Sequence, residues 1–124
     1  CNFAGGDALI LPGGNPGYIN LRNSELVLRV VRDYYADGRL VAAICGAPTV
    51  LATVDVAKGC RVTCHASVVA EMTGYNVVGG RVVENGNLIT AAGAGVSIDF
   101  ALAIASRLVD SETMLRVQQG MMVI

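Results

Sequence analysis

Five consecutive apolar residues, Leu40 to Ile44, run directly into Cys45-Gly46-Ala47-Pro48, and this junction constrains the fold most strongly. A strand without polar alternation is covered on both faces, which is typical of central strands in a parallel sheet. Proline is tolerated in the first turn of a helix, so a helix is predicted from Gly46 to about Thr53. The chain therefore passes from a buried strand into a helix through a turn that contains Cys45.

The segment before this junction shows the same alternation of strand and helix. Asp7 to Leu11 is an apolar strand closed by Pro12-Gly13-Gly14, and a loop is expected to reach about Asn23. Apolar spacing predicts a helix that begins after Ser24, its N-cap, and stops at Gly38. The order of strand, glycine loop and helix indicates an α/β fold.

The segment after the junction adds strands that make the sheet mixed. Arg61 to Cys64 is predicted to be a third strand, and Ser67 to Met72 a brief helix. Val82 to Ile89 is predicted to be a hairpin whose Asn85-Gly86 pair suits a type I′ turn.

Two helices are predicted to close the chain. A long one opens at Gly93-Ala94-Gly95, and a shorter one begins at Ser111 and leads to the apolar tail Met121 to Ile124. The apolar spacing of the long helix is carried by Ile98, Ala101, Leu102, Ala105 and Leu108. The whole pattern predicts a doubly wound sheet with helices on both faces.

Composition narrows the class of protein. The 124 residues suit one domain, and 53% of them are hydrophobic while only 15% are charged. A net charge of −1 with scattered Lys and Arg argues against a nucleic-acid binder. The longest charge-free run, Leu40 to Val54, is too short for a membrane helix, so no membrane association is expected. Four cysteines (Cys1, Cys45, Cys60 and Cys64) fit free thiols in a reducing, cytoplasmic compartment.

The start of the chain suggests that an upstream part of the domain is missing, either because a second fragment of the same gene product completes the sheet or because roughly one βαβ unit is absent. The first predicted strand already leads into a glycine loop, whereas a parallel sheet also needs an earlier strand and crossover helix. We expect residues 1–124 to be the C-terminal two-thirds of a single domain, associated with its own N-terminal fragment.

Cys45 is the strongest candidate for chemistry. It stands in the form of a nucleophile elbow, where a strand-to-helix turn exposes a side chain and the helix start favours the thiolate. Free cysteines are also often small buried hydrophobes, so packing alone is the alternative interpretation.

His65 is the single histidine, and any imidazole proton transfer must use it, although a lone histidine is often structural. Cys60, Cys64 and His65 have poor spacing for zinc, so no metal site is predicted.

Four segments, taken in order and spacing, resemble the ThiJ/PfpI superfamily and within it the DJ-one branch. They are LPGG (Leu11 to Gly14), AAIC (Ala42 to Cys45) followed by Ala47-Pro48-Thr49, VTCH (Val62 to His65) and AGAGVSIDFALAI (Ala92 to Ile104). The resemblance implies a flavodoxin-like three-layer α/β/α sandwich, of the class I glutamine amidotransferase type, that forms homodimers. It also implies that Cys45 is the nucleophile with His65 beside it, and that backbone N–H groups near Gly14 and Gly46 form an oxyanion pocket. For both glycines, a purely conformational or packing role is the alternative.

The resemblance implies a cofactor-independent glyoxalase or protein deglycase that acts on methylglyoxal or its protein adducts. The alternative is a redox sensor or chaperone in which Cys45 is oxidised without turnover. A cysteine hydrolase is a third possibility, disfavoured because the protease-like branch has histidine where this chain has Gly46. This chain also departs from the family pattern in a second way. In the family a glutamate hydrogen-bonds the nucleophilic cysteine, and no position of this chain corresponds to that glutamate. Neither Glu71 nor Asp99 is expected to replace it.

Overall fold

The computed structural model describes residues 3–124, in which strands and helices alternate. The first half contains β1 (Ala8–Leu11), α1 (Gly17–Arg22), α2 (Glu25–Ala36), β2 (Leu40–Ile44) and α3 (Pro48–Thr53). The second half contains β3 (Arg61–Val62), β4 (Asn76–Val77), β5 (Val82–Asn85), β6 (Leu88–Ala91), α4 (Ser97–Leu108) and α5 (Ser111–Gly120). Two 3-10 helices lie at Ala66–Glu71 and Ala94–Val96.

The main sheet has the strand order β1-β2-β6-β5. Strands β1, β2 and β6 are parallel, and β5 pairs antiparallel with β6. The mixed sheet predicted from the sequence is therefore confirmed. The third predicted strand ends at Val62 rather than Cys64, and it pairs with β4, which the sequence did not reveal, in a separate short sheet.

Strand β2 separates two hydrophobic cores. Val41 and Ala43 belong to a core beneath α2 and α3, here called the α3-side core, which also includes Leu11, Val31, Val50, Leu51 and Leu88. Leu40 and Ala42 belong to an α4-side core with Ile89, Phe100 and Ile104. Helices thus cover both faces of the sheet, which confirms the flavodoxin-like α/β/α sandwich and explains why β2 is apolar throughout.

Helix α1 occupies the segment for which a loop was predicted. It has six residues and no side-chain N-cap, so its local sequence signal is weak. Tyr18 and Leu21 are half-buried against the α3-side core. Tertiary packing, rather than helix propensity, therefore holds α1 in place.

The hairpin forms as predicted, but its turn is shifted by one residue. Asn85 pairs with Leu88, so the loop consists of Gly86 and Asn87. Of these two, Gly86 alone has a positive φ, at 60°. Glycine in the first loop position is the signature of a type II′ turn, and the predicted type I′ turn is wrong.

Helix α4 buries a different face from the one predicted. Phe100 and Ile104 are each 6% exposed and cover the sheet, whereas Ile98 and Leu108 are 52% and 48% exposed. The helix carries two apolar stripes, and only one of them can contact a flat sheet. Within residues 3–124, no helix is long and apolar enough to cross a membrane.

Candidate functional site

Cys45 lies at the carboxyl end of β2 in a left-handed backbone conformation, with φ at 64°. Its N–H donates to the carbonyl of Ala91 at 2.9 Å, and its own carbonyl accepts the N–H of His65 at 2.8 Å. A left-handed conformation costs a residue with a side chain about 1–2 kcal/mol, so the surrounding hydrogen bonds must impose it. The thiol is half-exposed. This is the geometry of the predicted elbow.

Gly46 and Ala47 form the turn between Cys45 and the helix. Helix α3 begins at Pro48, not at Gly46 as predicted, and Ala47 is its N-cap. The carbonyl of Gly46 accepts the N–H of Thr49 at 3.2 Å and its Oγ1 at 2.7 Å. These bonds fix the buried turn that follows the thiol.

Gly13 and Gly14 approach the elbow from β1. A Cβ on Gly13 would lie 2.6 Å from the Cβ and 3.5 Å from the Sγ of Cys45, so only glycine fits there. Gly14 has a φ of 96°, and its carbonyl accepts the N–H of Tyr18 at 2.9 Å, which starts α1. The sequence predicts Gly14 but not Gly13 as a site residue, although the two glycines are adjacent.

His65 is brought beside the elbow by its backbone bond to Cys45, and its ring is exposed. The ring caps the 3-10 helix that follows, because Nδ1 accepts the N–H of Ser67 at 3.1 Å. The Ser67 Oγ lies 2.8 Å from the same nitrogen. A nitrogen that accepts a backbone N–H carries no proton of its own, so neutral His65 has its proton on Nε2. No local sequence pattern indicates this restriction.

Tyr18 is a neighbour of the elbow that sequence reasoning missed. A Cβ on Gly46 would lie 2.6 Å from the Cε1 of Tyr18, so the ring packs directly on the turn. The guanidinium of Arg22 lies over the same ring, 5.5 Å from its centroid, and pairs with Glu71 at 2.7 Å. Tyr18 and Arg22 thus connect the elbow to the 3-10 helix that starts after His65.

The two carboxylates considered in the sequence analysis, Glu71 and Asp99, each form an ion pair elsewhere. Glu71 pairs with Arg22, and Asp99 pairs with Arg81 at 3.1 Å, so neither carboxylate is directed at Cys45. Among residues 3–124, no cluster of three or more His, Cys, Asp or Glu side chains is arranged to hold a metal ion.

The two other cysteines in the described part of the chain occupy different surroundings. The Sγ of Cys60 lies 4.0 Å from the hydroxyl of Tyr35. Cys64 is only 6% exposed. Burial, and secondly the charge of the nearby Cys45, raises the pKa of the Cys64 thiol.

A shallow, mainly apolar depression of about 660 Å³ lies beside His65 and is widely open to solvent. Its walls include Thr63, Cys64, His65, Val78, Arg81, Gly93 and Val96. It leaves open space beside the imidazole, but Cys45 is not among its lining residues.

Comparison with known proteins gives consistent results. The sequence model of the DJ-1/PfpI family matches residues 1–107. The Drosophila melanogaster protein dj-1beta is 40% identical over 119 residues, which cover 94% of this chain and 64% of that protein. The Caenorhabditis elegans glutathione-independent glyoxalase DJR-1.2 is 36% identical over 104 residues, covering 82% of this chain and 55% of that protein.

The solved structures agree with the sequence matches. The crystal structure of Drosophila DJ-1beta superposes with a TM-score of 0.90 at 40% identity, covering 94% of this chain and 63% of the other. This chain thus spans just under two-thirds of the length of dj-1beta.

Proposed function

Because the chain belongs to the DJ-1/PfpI family, we propose that it supplies the Cys45 centre of a cofactor-independent glyoxalase or protein deglycase. The observation that carries the proposal is the half-exposed Cys45 thiol on a left-handed elbow, with Gly13 on one side and the His65 backbone on the other. A similar protein from Caenorhabditis elegans is named a glutathione-independent glyoxalase, which supports the same chemistry.

The proposed reaction begins at the sulfur. The Cys45 thiolate adds to the aldehyde carbon of methylglyoxal, so an S–C bond forms and the carbonyl oxygen becomes an alkoxide. Backbone N–H groups of Gly14 and Gly46 are proposed to stabilise this oxyanion, a role worth about 2.7–4 kcal/mol per well-placed donor. A proton then moves from the former aldehyde carbon to the neighbouring carbon, which gives a thioester.

Water completes the cycle by releasing lactate and the free thiol. The aldehyde carbon is oxidised while the neighbouring ketone carbon is reduced, so electrons balance within the substrate. For this reason the proposed reaction needs no external electron carrier.

His65 is proposed to handle the protons, and its geometry limits how it can do so. The neutral ring can take up a proton at Nδ1 only by giving up the N–H of Ser67, and the imidazolium so formed can deliver a proton from Nε2. The Ser67 Oγ, 2.8 Å away, would then accept the new Nδ1–H. Ser67 thus offers a partner to either protonation state of the ring.

The test is lactate production from methylglyoxal, with the mass of every chain in the sample recorded. Cys45→Ser and His65→Ala should each abolish turnover, while Cys60→Ser, which changes a thiol beside Tyr35, should leave turnover unchanged. Equal turnover in Cys45→Ser and the unmodified protein would refute the proposal.

Peroxide treatment of the same protein samples examines the alternative of a redox sensor or chaperone. A protein that makes no lactate but whose Cys45 is oxidised by peroxide would support the sensor. Oxidation of Cys45 should survive in His65→Ala under both hypotheses, because it needs only the thiol.

A further inference from the structure

Cys64 is a second thiol close to the elbow, and the proposed reaction does not use it. It immediately precedes His65, whose N–H donates to the carbonyl of Cys45 at 2.8 Å. Standard bond lengths then keep the Cα atoms of Cys45 and Cys64 within roughly 7.6 Å, even if the connecting atoms are fully extended. Disulfide-bonded residues usually have Cα atoms about 4.4–6.8 Å apart. The upper bound exceeds this range by less than about 1 Å, so at most a small backbone movement would bring the two Cα atoms within disulfide range.

Cys64 is buried in the same core as the turn that follows Cys45. It packs in the α3-side core together with Ala47, which lies two residues beyond Cys45 in the same turn. Val62 belongs to that core too, whereas the Thr63 hydroxyl between them donates to the carbonyl of Gly80. Cys64 thus belongs to the core that also contains part of the turn after Cys45.

The two thiols differ in their access to oxidants. Cys45 is half-exposed, whereas Cys64 is buried. Peroxides react with thiolates, and burial keeps Cys64 protonated by raising its pKa. Peroxide is therefore expected to reach and oxidise Cys45 first.

We propose that Cys64 is a resolving cysteine, which captures oxidised Cys45 as an intramolecular disulfide. The proposal rests on the reactivity of Cys45 assigned under the proposed function. In the first step the Cys45 thiolate attacks one oxygen of hydrogen peroxide, the O–O bond breaks, an S–O bond forms, and hydroxide leaves. Cys45 is then a sulfenic acid.

In the second step the Cys64 sulfur attacks the Cys45 sulfur. An S–S bond forms, the S–O bond breaks, and the departing hydroxide takes the Cys64 proton to become water. Two thiols have together lost two electrons to one peroxide. The disulfide blocks further oxidation of Cys45 to sulfinic acid, and a thiol reductant restores both cysteines.

The experiment treats the purified protein with an equimolar amount of hydrogen peroxide, blocks free thiols with N-ethylmaleimide, and maps peptides by mass. We expect a Cys45–Cys64 disulfide that dithiothreitol reverses. Cys64→Ala should abolish it and raise the yield of Cys45 sulfinic acid at least roughly fivefold. Cys64→Ser serves as a second variant, with thermal melting to verify that both variants fold. Cys60→Ala is the matched control and should behave like the unmodified protein.

Each other outcome is decisive. Equal sulfinic acid yields in the unmodified protein and in folded Cys64→Ala, or a disulfide that joins Cys45 to Cys60, would overturn the resolving role. Because lactate production and Cys45 alkylation are measured separately, that failure would leave the proposed function standing. If Cys45 is neither oxidised by peroxide nor alkylated by iodoacetamide, the thiol is unreactive. That result would contradict both the proposed function and this inference.

Discussion

The ring of Tyr18 rests on the backbone of Gly46, so closely that a Cβ on the glycine would lie 2.6 Å from Cε1 and 2.7 Å from Cδ1. Real Cβ atoms do not approach other carbons to that distance. A short helix is thereby packed against the turn that holds the candidate nucleophile. The two residues are 28 positions apart, and no local sequence pattern links them.

Gly46→Ala should destabilise the fold by about 1–3 kcal/mol, because the new methyl group must displace the Tyr18 ring. The cost should be smaller in a Tyr18→Ala background, where the ring is absent. Urea denaturation of the four proteins in a double-mutant cycle measures this coupling. An equal cost in both backgrounds would show that Tyr18 and Gly46 do not interact.

Gly13→Ala should slow alkylation of Cys45 by iodoacetamide roughly tenfold to a hundredfold, because a small displacement of a reactive group has effects of this size. The added Cβ would lie 2.6 Å from the Cys45 Cβ and 2.9 Å from the Ile44 carbonyl oxygen, so the elbow must shift. Gly17→Ala is the control, since a Cβ there meets nothing within 4 Å. Unchanged alkylation in folded Gly13→Ala would contradict the contact.

Neutral His65 should be the Nε2–H tautomer, which nitrogen-15 NMR of the imidazole distinguishes from Nδ1–H. Ser67→Ala should keep this tautomer, because the backbone N–H of residue 67 still donates to Nδ1. Ser67→Pro removes that donor and should let the two tautomers mix. A dominant Nδ1–H signal in the unmodified protein would exclude the observed cap.

Protonation of Asp110 at acidic pH should remove part of the stabilisation of helix α5. The Asp110 side chain caps the helix by accepting the N–H of Thr113 at 2.7 Å, and this bond lowers the pKa of the carboxyl group. A lowered folded-state pKa means that the stabilisation is complete above the unfolded pKa of about 3.9 and is lost as the pH falls through the folded value.

The Thr113 amide proton should report this titration in an NMR series from neutral to acidic pH, with a midpoint below that of a free aspartate. Asp110→Asn keeps a capping oxygen that does not titrate, so its Thr113 signal should show no such midpoint. A midpoint equal to that of an exposed aspartate in the unmodified protein would mean that the cap does not form in solution.

The elements with strong local signals could be predicted. The unbroken apolar run of β2 and the proline in the first turn of α3 placed Cys45 at an elbow, although α3 starts two residues later than predicted. Ser24 caps α2 as expected, because its side chain accepts the N–H of Val27. In each case the residues that decide the structure are adjacent in the sequence.

The features that depend on distant contacts could not be predicted. Helix α1 is held by the packing of Tyr18 on Gly46, and the buried stripe of α4 is selected by the sheet that it covers. Gly13 is required only because the Cys45 side chain comes to lie against it. The tautomer of His65 depends on the 3-10 helix that its own ring caps.

Strand β2 alternates between two cores, and this imposes a limit on how the gene can change. Val41 and Ala43 fill one core while Leu40 and Ala42 fill the other. Deleting or inserting a single codon within the strand would turn every following side chain to the opposite layer and carry the reactive thiol with it. Substitutions by residues of similar size are tolerable along β2, but the number of residues in the strand is fixed. Natural selection should therefore remove insertions and deletions within β2 and tolerate them in surface loops.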